Sequence, residues 1–272
     1  MSENDLGKAI SNIIRLDNLT NLPTGSEDRG LSGFDEQHTG LDKKLVVHHH
    51  PRSMEAEYFR FLKTKIEHHF GDDFSNPKRG RIILVTGASL GSGKTTCALN
   101  LALIFAKAYG NQIMFLDADC RHPASQKSLG LGETPLPGLT DVLIRHHRAG
   151  SVLINTGLSN MIYFPSGDFS EAFVDRLRSE ELTILLDSLR NRFRYIIIDA
   201  PPAFPMPEPG ILANHSDGVL IVLGAGTDGK DQLTHAMESL KGSKVIGVIL
   251  NKVKSSPLRR YGSYGYYSGM RK

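Results

Sequence analysis

The fold of this chain is decided by one stretch, Arg81-Ile82-Ile83-Leu84-Val85-Thr86-Gly87-Ala88-Ser89-Leu90-Gly91-Ser92-Gly93-Lys94-Thr95-Thr96. Its first part, from Ile82 to Val85, is an unbroken apolar run rich in β-branched residues, which indicates a strand buried on both faces. Residues 87–93 are rich in glycine and do not suit regular structure. From Thr95 to Tyr109 apolar residues recur at helical spacing, and Gly110 follows as a stop signal. The stretch therefore predicts a strand, a glycine loop and a helix, in that order.

Strand, glycine loop, lysine, threonine and helix form the P-loop arrangement that holds nucleotide phosphates. Glycines let backbone N–H groups approach phosphate oxygens, and the helix N-terminus adds free N–H groups and a positive dipole end. Lys94 is predicted to reach the β- and γ-phosphates of ATP, and the Thr95 hydroxyl to bind Mg²⁺. Ala88 replaces the usual first glycine. A glycine loop that only turns the chain is the weaker alternative, because the lysine, the threonine and the flanking strand and helix all agree with the P-loop pattern. The predicted nucleotide contacts are Ser89, Gly91, Ser92, Gly93, Lys94, Thr95 and Thr96.

Length and composition bound the class of protein. The chain has 272 residues, 40% of them hydrophobic, which suffices for one sizeable α/β domain with extensions. No apolar run approaches the ~20 residues needed to cross a bilayer, and the N-terminus lacks the features of a signal peptide. Two cysteines, Cys97 and Cys120, give no disulfide framework. We therefore expect a cytoplasmic protein.

Charge is unevenly distributed along the chain. The net charge is +3, but no acid follows Glu238 and eight Lys or Arg do, which leaves the remainder at −5. Such a basic end could attract nucleic acid or anionic lipid, and a solvated tail is an equally good interpretation. When the basic end is considered together with the features described below, we expect no nucleic-acid partner.

The chain divides into four segments. Residues 1–50 are largely polar and predict a mobile N-terminal arm. Residues 51–78 hold a predicted helix, Ser53–Phe70, and a linker; its apolar residues at steps of four are expected to pack on the domain. These are Met54, Tyr58, Leu62, Ile66 and Phe70. Glu57, Arg60 and Lys63 are predicted to lie on a different face of the helix. Residues 79–254 form the nucleotide-binding domain, and residues 255–272 a tail with four tyrosines separated by Gly and Ser.

Strands and helices alternate through the nucleotide-binding domain. This alternation predicts an α/β fold with a mostly parallel sheet flanked by helices on both faces. Besides the first strand, the predicted strands are 112–116, 161–164, 194–198, 218–223 and 244–250. The further helices are 139–147, 179–191, 209–215 and 230–240.

Carboxylates end two of the predicted strands. Asp117 and Asp119 follow one strand and Asp199 follows another, and the carboxyl ends of parallel strands meet at the ligand crevice. Hard oxygen ligands beside a triphosphate indicate Mg²⁺, while helix capping is the weaker explanation for all three. A tyrosine hydroxyl, with a pKa of about 10, would need Asp117 or Asp119 to take its proton. If water attacks instead, the same residues make an ATPase, so the acceptor stays open at this point.

Asn251 ends the last predicted strand at the same side of the sheet. Its amide offers both a donor and an acceptor, as the edge of adenine requires. A turn residue that closes the strand is nearly as good an interpretation.

Residues 53–272 resemble the bacterial tyrosine kinases of capsule and exopolysaccharide systems. Residues 57–66 look like the Glu-x-x-Arg-x-x-Arg oligomerisation helix of that family, with Lys63 at the last Arg. Residues 88–95 match its Walker A loop, residues 116–123 look like its Walker A′ segment, and residues 196–202 match its Walker B segment. The tail resembles its tyrosine cluster.

The resemblance implies ATP- and Mg²⁺-dependent autophosphorylation of the tail at Tyr261, Tyr264, Tyr266 and Tyr267. It places Lys94, Asp117 and Asp119 in catalysis, Thr95, Asp119 and Asp199 around the metal, and Glu57, Arg60 and Lys63 in self-assembly. It further implies activation by the cytoplasmic segment of a membrane protein that controls polysaccharide chain length, and a position at the inner face of the membrane through that partner. A phosphotyrosine phosphatase is the expected antagonist.

Two alternatives remain from the sequence. The related partition and division-site ATPases carry a signature lysine five residues before the P-loop lysine, where this chain has Ser89. A non-catalytic nucleotide-binding adaptor, with the tail as a docking segment, is the other.

Overall fold

The computed structural model describes residues 40–71, 79–109, 112–159 and 161–253. Most of the predicted N-terminal arm, the linker 72–78 and the whole tyrosine tail lie outside the described residues. Within the described ranges, no helix is both long and apolar enough to cross a membrane.

Seven strands form one sheet at the centre of the domain. They are β1 (Arg81–Gly87), β2 (Ile113–Asp117), β3 (Ile154–Asn155), β4 (Ile162–Phe164), β5 (Tyr195–Asp199), β6 (Gly218–Gly224) and β7 (Val245–Asn251). Their order across the sheet is β3-β4-β2-β5-β1-β6-β7. All neighbours are parallel except β3 with β4. The P-loop strand β1 therefore lies between β5 and β6, so the carboxyl ends of these strands surround the glycine loop.

Helices cover both faces of the sheet. They are α1 (Val46–His49), α2 (Met54–Phe70), α3 (Lys94–Tyr109), α4 (Ser125–Ser128), α5 (Leu139–Arg145), α6 (Ala149–Val152), α7 (Phe173–Arg176), α8 (Glu180–Arg190), α9 (Glu208–Ala213) and α10 (Lys230–Ser239). Helices α1 to α3 share one hydrophobic core with the sheet, and α5 to α10 share the other.

Strand β1 shows why the central strands are continuously apolar. Ile82 and Leu84 point into one core, while Ile83 and Val85 point into the other. Because successive side chains alternate between faces, a strand with helices on both sides is apolar at consecutive positions, as Ile82 to Val85 are. The predicted α/β fold with a mostly parallel, doubly covered sheet is thus confirmed.

Part of the predicted mobile arm is packed. Leu41, Leu45 and Val47 are buried in the core of α3. The backbone N–H of Val47 donates to Oδ1 of Asn100 at 3.0 Å, and Nδ2 of Asn100 donates to the carbonyl of Lys44 at 2.9 Å. The arm prediction is therefore wrong for residues 40–50, because three apolar side chains and a buried asparagine fix this segment. Residues 1–39 lie outside the described chain.

Helix α2 begins and ends as predicted, with the Ser53 hydroxyl accepting from the backbone N–H of Ala56. The predicted apolar stripe is only half right: Ile66 is buried, but Met54 and Tyr58 are 53% and 66% exposed. A constant step of four residues advances about 40° beyond a full turn, so a stripe of five such residues winds away from the core. The face against the domain instead follows alternating steps of three and four: Ala56, Phe59, Lys63, Ile66 and Phe70.

Candidate active site

Two glycines with positive φ shape the loop between β1 and α3. Gly91 has φ of 78° and Gly93 has φ of 92°. A Cβ atom on Gly93 would lie 2.1 Å from Nδ2 of Asn251, so a larger residue could not fit without moving that amide. Helix α3 begins at Lys94, and Lys94 and Thr95 are both buried. A glycine loop that leads into a helix N-terminus is the arrangement that phosphate binding requires, and the contacts of this loop with a nucleotide stay a prediction.

The end of β7 braces this loop. Nδ2 of Asn251 donates to the carbonyl of Ser92 at 3.0 Å, and Nζ of Lys252 donates to the carbonyl of Gly91 at 2.6 Å. Asn251 therefore has a structural contact that the sequence did not suggest. Its contact with adenine stays a prediction.

Ser89 is fixed by the loop after β6. Its hydroxyl donates to Oδ1 of Asp228, and Oδ2 of Asp228 accepts from the backbone N–H of Gly224 at 2.7 Å. The partition ATPases have their signature lysine at this position. This chain instead has Ser89, a short side chain that is hydrogen-bonded to Asp228 of the same domain.

Three aspartates and one lysine meet beside the loop. Asp117 and Asp199 end the adjacent strands β2 and β5 and lie directly opposite each other in register. Nζ of Lys94 lies 2.6 Å from Oδ2 of Asp119. All three carboxylates are at most 1% exposed. The structure therefore brings together the residues to which the sequence analysis assigned catalysis.

Burial sets the electrostatics of this cluster. It raises the pKa of Asp117 to about 8, and the nearby Asp199 carboxylate adds to that shift. It also raises the pKa of Asp199 to about 6, with Lys94 acting in the opposite direction. At Lys94, burial disfavours the charged form, but Asp199 and Asp119 outweigh it and raise the pKa. The lysine therefore stays charged, and burial beside Asp199 makes the carboxylate of Asp117 a stronger base than an ordinary aspartate.

The residues around Asp199 fit a divalent cation. Neither oxygen of Asp199 has a hydrogen-bond partner of good geometry among the described residues, and the Thr95 hydroxyl lies beside it. Orphaned buried carboxylate oxygens are costly unless a cation binds them. Within the described ranges no three His, Cys, Asp or Glu are clustered to hold a metal alone. This suits Mg²⁺, which commonly combines one or two protein oxygens with phosphates and water.

Asp119, the third predicted metal ligand, is paired with Lys94 instead. Its Oδ1 also accepts from the backbone N–H of His122 at 3.2 Å. Its contact with the metal stays a prediction.

Asp117 is held by neighbours that the sequence did not reveal. Its Oδ1 accepts from the backbone N–H of Asp119 at 2.9 Å, and its Oδ2 accepts from the Ser125 hydroxyl. The Tyr163 hydroxyl lies 2.8 Å from the same Ser125 oxygen. All of these side chains are buried, so the orientation of Asp117 is fixed from two sides. No local motif marks Ser125 or Tyr163, because they reach Asp117 only through the fold.

Comparison with known proteins identifies the family. Residues 80–248 match the family described as the AAA domain. The chain is 32% identical over 213 residues to the tyrosine-protein kinase CpsD of Streptococcus agalactiae, covering 78% of this chain and 89% of CpsD. The chain belongs to the bacterial tyrosine kinase family. The family assignment confirms the predicted kinase function over the partition ATPase and the adaptor.

Two further proteins resemble this kinase. The crystal structure of the chimerical protein CapA2B2 superposes with a TM-score of 0.69 and 26% identity, covering 78% of the kinase and 91% of that chain. The succinoglycan biosynthesis transport protein ExoP of Rhizobium meliloti is 29% identical over 222 residues, covering 79% of the kinase and 27% of ExoP. The names of the relatives agree with the predicted setting of polysaccharide biosynthesis.

The predicted oligomerisation residues do not share one outward face. Glu57 and Arg60 form an ion pair within α2, and both are partly exposed. Nζ of Lys63 instead lies 2.6 Å from Oε1 of buried Glu67 and 5.1 Å from the ring centre of Tyr109. Each residue turns a helix by about 100°, so Lys63 lies about 120° around the axis from Glu57. The prediction that Lys63 shares a separate face of the helix with Glu57 and Arg60 is wrong, and the roles of the three residues in self-assembly stay a prediction.

We expect the metal-free kinase to lose stability as pH rises from about 4 to about 8. The folded-state pKa of Asp117, about 8, lies above the unfolded value of about 4. The folded protein therefore binds more protons in this window, and the free energy of unfolding falls by up to about 1.4 kcal/mol per pH unit for each such proton. Urea unfolding in a chelator at several pH values measures the slope. Asp117→Asn should flatten it, and equal slopes in the two proteins would contradict the proton assignment.

Proposed function

We propose that this kinase transfers the γ-phosphoryl group of ATP to the tyrosines of its own tail. The observation that carries the proposal is the buried cluster in which Asp117 and Asp199 face each other beside the Lys94–Asp119 ion pair. A charged lysine at a phosphate cradle, with a proton-accepting carboxylate nearby, is suited to phosphoryl transfer to a hydroxyl. The acceptor tyrosines are Tyr261, Tyr264, Tyr266 and Tyr267.

The P-loop N–H groups and Lys94 hold the β- and γ-phosphates, and a tyrosine oxygen attacks the γ-phosphorus. The new O–P bond forms as the bond to the β–γ bridging oxygen breaks, and ADP leaves with that electron pair. The phenolic proton passes to the ionised carboxylate of Asp117. The pKa of this group, about 8, is closer to the pKa of a phenol than the pKa of an ordinary carboxyl group is. Thr95 and Asp199 would hold Mg²⁺, whose positive charge would stabilise the negative charge on the phosphate oxygens.

Labelled ATP tests this function directly. Purified kinase is incubated with labelled ATP and Mg²⁺, with and without the cytoplasmic segment of a candidate membrane activator, and the label is mapped by mass spectrometry. We expect label on the four tail tyrosines, and none there in a variant carrying Phe at these positions. ATP hydrolysis without any protein label would favour an ATPase instead.

The same proposal includes the partners of the kinase. It self-associates through α2, where Glu57 and Arg60 are exposed enough to exchange their internal pair for a neighbour. The cytoplasmic segment of a membrane polysaccharide co-polymerase activates it and holds it at the inner face of the membrane, and a phosphotyrosine phosphatase resets it. The succinoglycan transport name of ExoP supports a role in exopolysaccharide or capsule polymerisation and export.

Phosphorylation is expected to dissolve the assembly. Each phosphate adds about −1.5 to −2 charges, so four phosphates would change the net charge of residues 254–272 from +5 to about −1 to −3. A negative tail would then be repelled by a neighbouring site rich in aspartate. Light scattering before and after ATP treatment should show a fall in mass for the wild type. The variant with Phe at all four tail positions should keep its mass, and a constant mass in fully phosphorylated wild type would refute the switch.

A further inference from the structure

The tip of the phosphate loop is held to the rest of the domain by a side chain. At the start of the loop, the backbone N–H of Ala88 donates to a carbonyl of β6 at 3.0 Å. At its end, residues 91–92 are held by the end of β7. Between them Ser89 is partly exposed and Leu90 is 67% exposed. Among the described residues, the hydrogen bond from the Ser89 hydroxyl to Asp228 is the one that ties this tip to another part of the domain.

Asp228 is itself fixed to the end of β6. Its Oδ2 accepts from the backbone N–H of Gly224 at 2.7 Å, and its own backbone N–H donates to the carbonyl of Gly224 at 2.9 Å. A Cβ atom on Gly224 would lie 2.3 Å from Oγ1 of Thr227 and 3.6 Å from Cα of Ser92, so this turn packs directly on the phosphate loop. Both carboxylate oxygens of Asp228 are therefore used, one toward β6 and one toward Ser89.

We propose that Asp228 is a positioning residue of the kinase, which holds Ser89 and thereby keeps the tip of the phosphate loop in the conformation that binds ATP. A loop tip without this tie would spread over more backbone conformations. Only molecules in the competent conformation bind, so the apparent dissociation constant rises by the factor by which the competent fraction falls. The inference rests on the proposed function, because it assumes that ATP occupies this loop.

The charge of Asp228 acts in the opposite direction to its hydrogen bonds. A carboxylate beside the loop repels the phosphates of a nucleotide, so the charge alone would weaken binding. Asparagine separates the two effects: its Oδ1 can accept from the backbone N–H of Gly224, and its Nδ2 can donate to the Ser89 oxygen. Asp228→Asn therefore keeps both hydrogen bonds without the charge, while Asp228→Ala loses the bonds and the charge together.

A calorimetric titration with the β,γ-methylene analogue of ATP and Mg²⁺ measures this effect without phosphoryl transfer. Asp228→Ala is expected to bind the analogue about tenfold more weakly than Asp228→Asn does, and Asp228→Asn is expected to bind it at least as tightly as the wild type. Since both variants lack the charge, the difference between them reports the hydrogen bonds. Equal affinities of the two variants would overturn the proposal.

Asp231→Ala and Asp231→Asn are the matched controls. Asp231 is exposed in the first turn of α10, three residues beyond Asp228, and the two substitutions make the same changes of charge and shape there. Both control variants should bind the analogue as the wild type does. A difference between them as large as that at position 228 would mean that any acid of this segment has the same effect, and would overturn the role of the Ser89 contact.

The same substitutions of Asp228 in a Ser89→Ala background show whether the effect passes through Ser89. Without the hydroxyl, Asp228 has no group at the tip to hold, so Asp228→Ala and Asp228→Asn should bind the analogue equally in this background. An undiminished difference would come from the bond to Gly224, and would leave Asp228 as a structural residue of the turn after β6. Melting curves of the nucleotide-free proteins report any loss of stability separately.

Steady-state kinetics separate the positioning role from the proposed function. With tail phosphorylation as the readout, Asp228→Ala should show a KM for ATP about tenfold above that of Asp228→Asn at the same kcat, because the substitution lies outside the cluster of Lys94 and the three aspartates. A lower kcat at an unchanged KM would contradict the proposal. If both variants bind the analogue equally while the tail is labelled, the positioning role fails and the autokinase function stands. If the difference in binding is found and no tyrosine is ever labelled, the autokinase function fails and the positioning role stands.

Discussion

Lys94→Met is expected to lower the rate of tyrosine phosphorylation by about 10²–10³. The Lys94 ammonium is buried at the start of α3, and the surrounding carboxylates keep it charged. Methionine has a similar length and no charge, so the variant loses the electrostatic stabilisation of the β- and γ-oxygens during transfer. A quantitative autophosphorylation time course at saturating ATP measures the loss.

The structure adds a second consequence of the same change. Asp119 loses its partner at 2.6 Å, so the metal-free variant should be less stable while keeping its fold. Circular dichroism and a melting curve separate this effect from catalysis. Lys241→Met, on the exposed turn after α10, is the matched control and should change neither quantity. Labelling at the wild-type rate in a folded Lys94→Met protein would remove Lys94 from the mechanism.

The sequence predicted the sheet well because its strands are buried on both faces. Runs such as Ile82 to Val85 must be apolar throughout, so they stand out from any amphipathic helix. Strand β3 was missed because its two residues are too short to show a period, and its antiparallel pairing with β4 leaves no mark in composition. The four-residue helices α1, α4, α6 and α7 escaped prediction because they too are short.

The aspartates of the site were predictable from topology alone. Carboxylates at the ends of adjacent parallel strands meet wherever the sheet is formed, and Asp117 and Asp199 do so in register. Ser125, Tyr163 and Asp228 were not predictable. Asp228 reaches Ser89 across 139 residues, and nothing local distinguishes it from a turn aspartate.

The face of α2 shows a different limit. Its first residue followed from a capping serine, which is a local signal, and the structure shows that it ends at a left-handed glycine, Gly71. Which residues of α2 point inward depends on the domain against which the helix packs. Polar and apolar residues are mixed on every face of this helix, so the sequence alone does not reveal the buried face. Lys63, which the sequence analysis placed on one face with Glu57 and Arg60, instead lies between Glu67 and the aromatic rings of α3.

The second large effect is expected for Asp117→Asn, which should slow tyrosine phosphorylation by about 10²–10⁴ because the amide cannot take up the phenolic proton. Asparagine has almost the same shape, and its oxygen can still accept from the backbone N–H of Asp119. Its Nδ2 can donate to the Ser125 oxygen, which Tyr163 also contacts, so the buried network has a hydrogen-bonded alternative. We therefore expect the fold and the affinity for Mg²⁺ and ADP to survive while transfer is lost.

Three comparison variants separate proton transfer from the other roles of this cluster. Asp119→Asn should also suppress phosphorylation, but with an altered Mg²⁺ requirement in a metal titration, since its partner is Lys94. Ser125→Ala leaves the carboxylate of Asp117 in place but removes the hydroxyl that orients it and that Tyr163 contacts. Its loss of rate should therefore be smaller than that of Asp117→Asn, and Ser125→Thr should restore part of it. If Asp117→Asn retained the wild-type rate with intact nucleotide binding, another group would have to accept the proton, and the buried position of Asp117 between Asp199 and Ser125 would then serve structure alone.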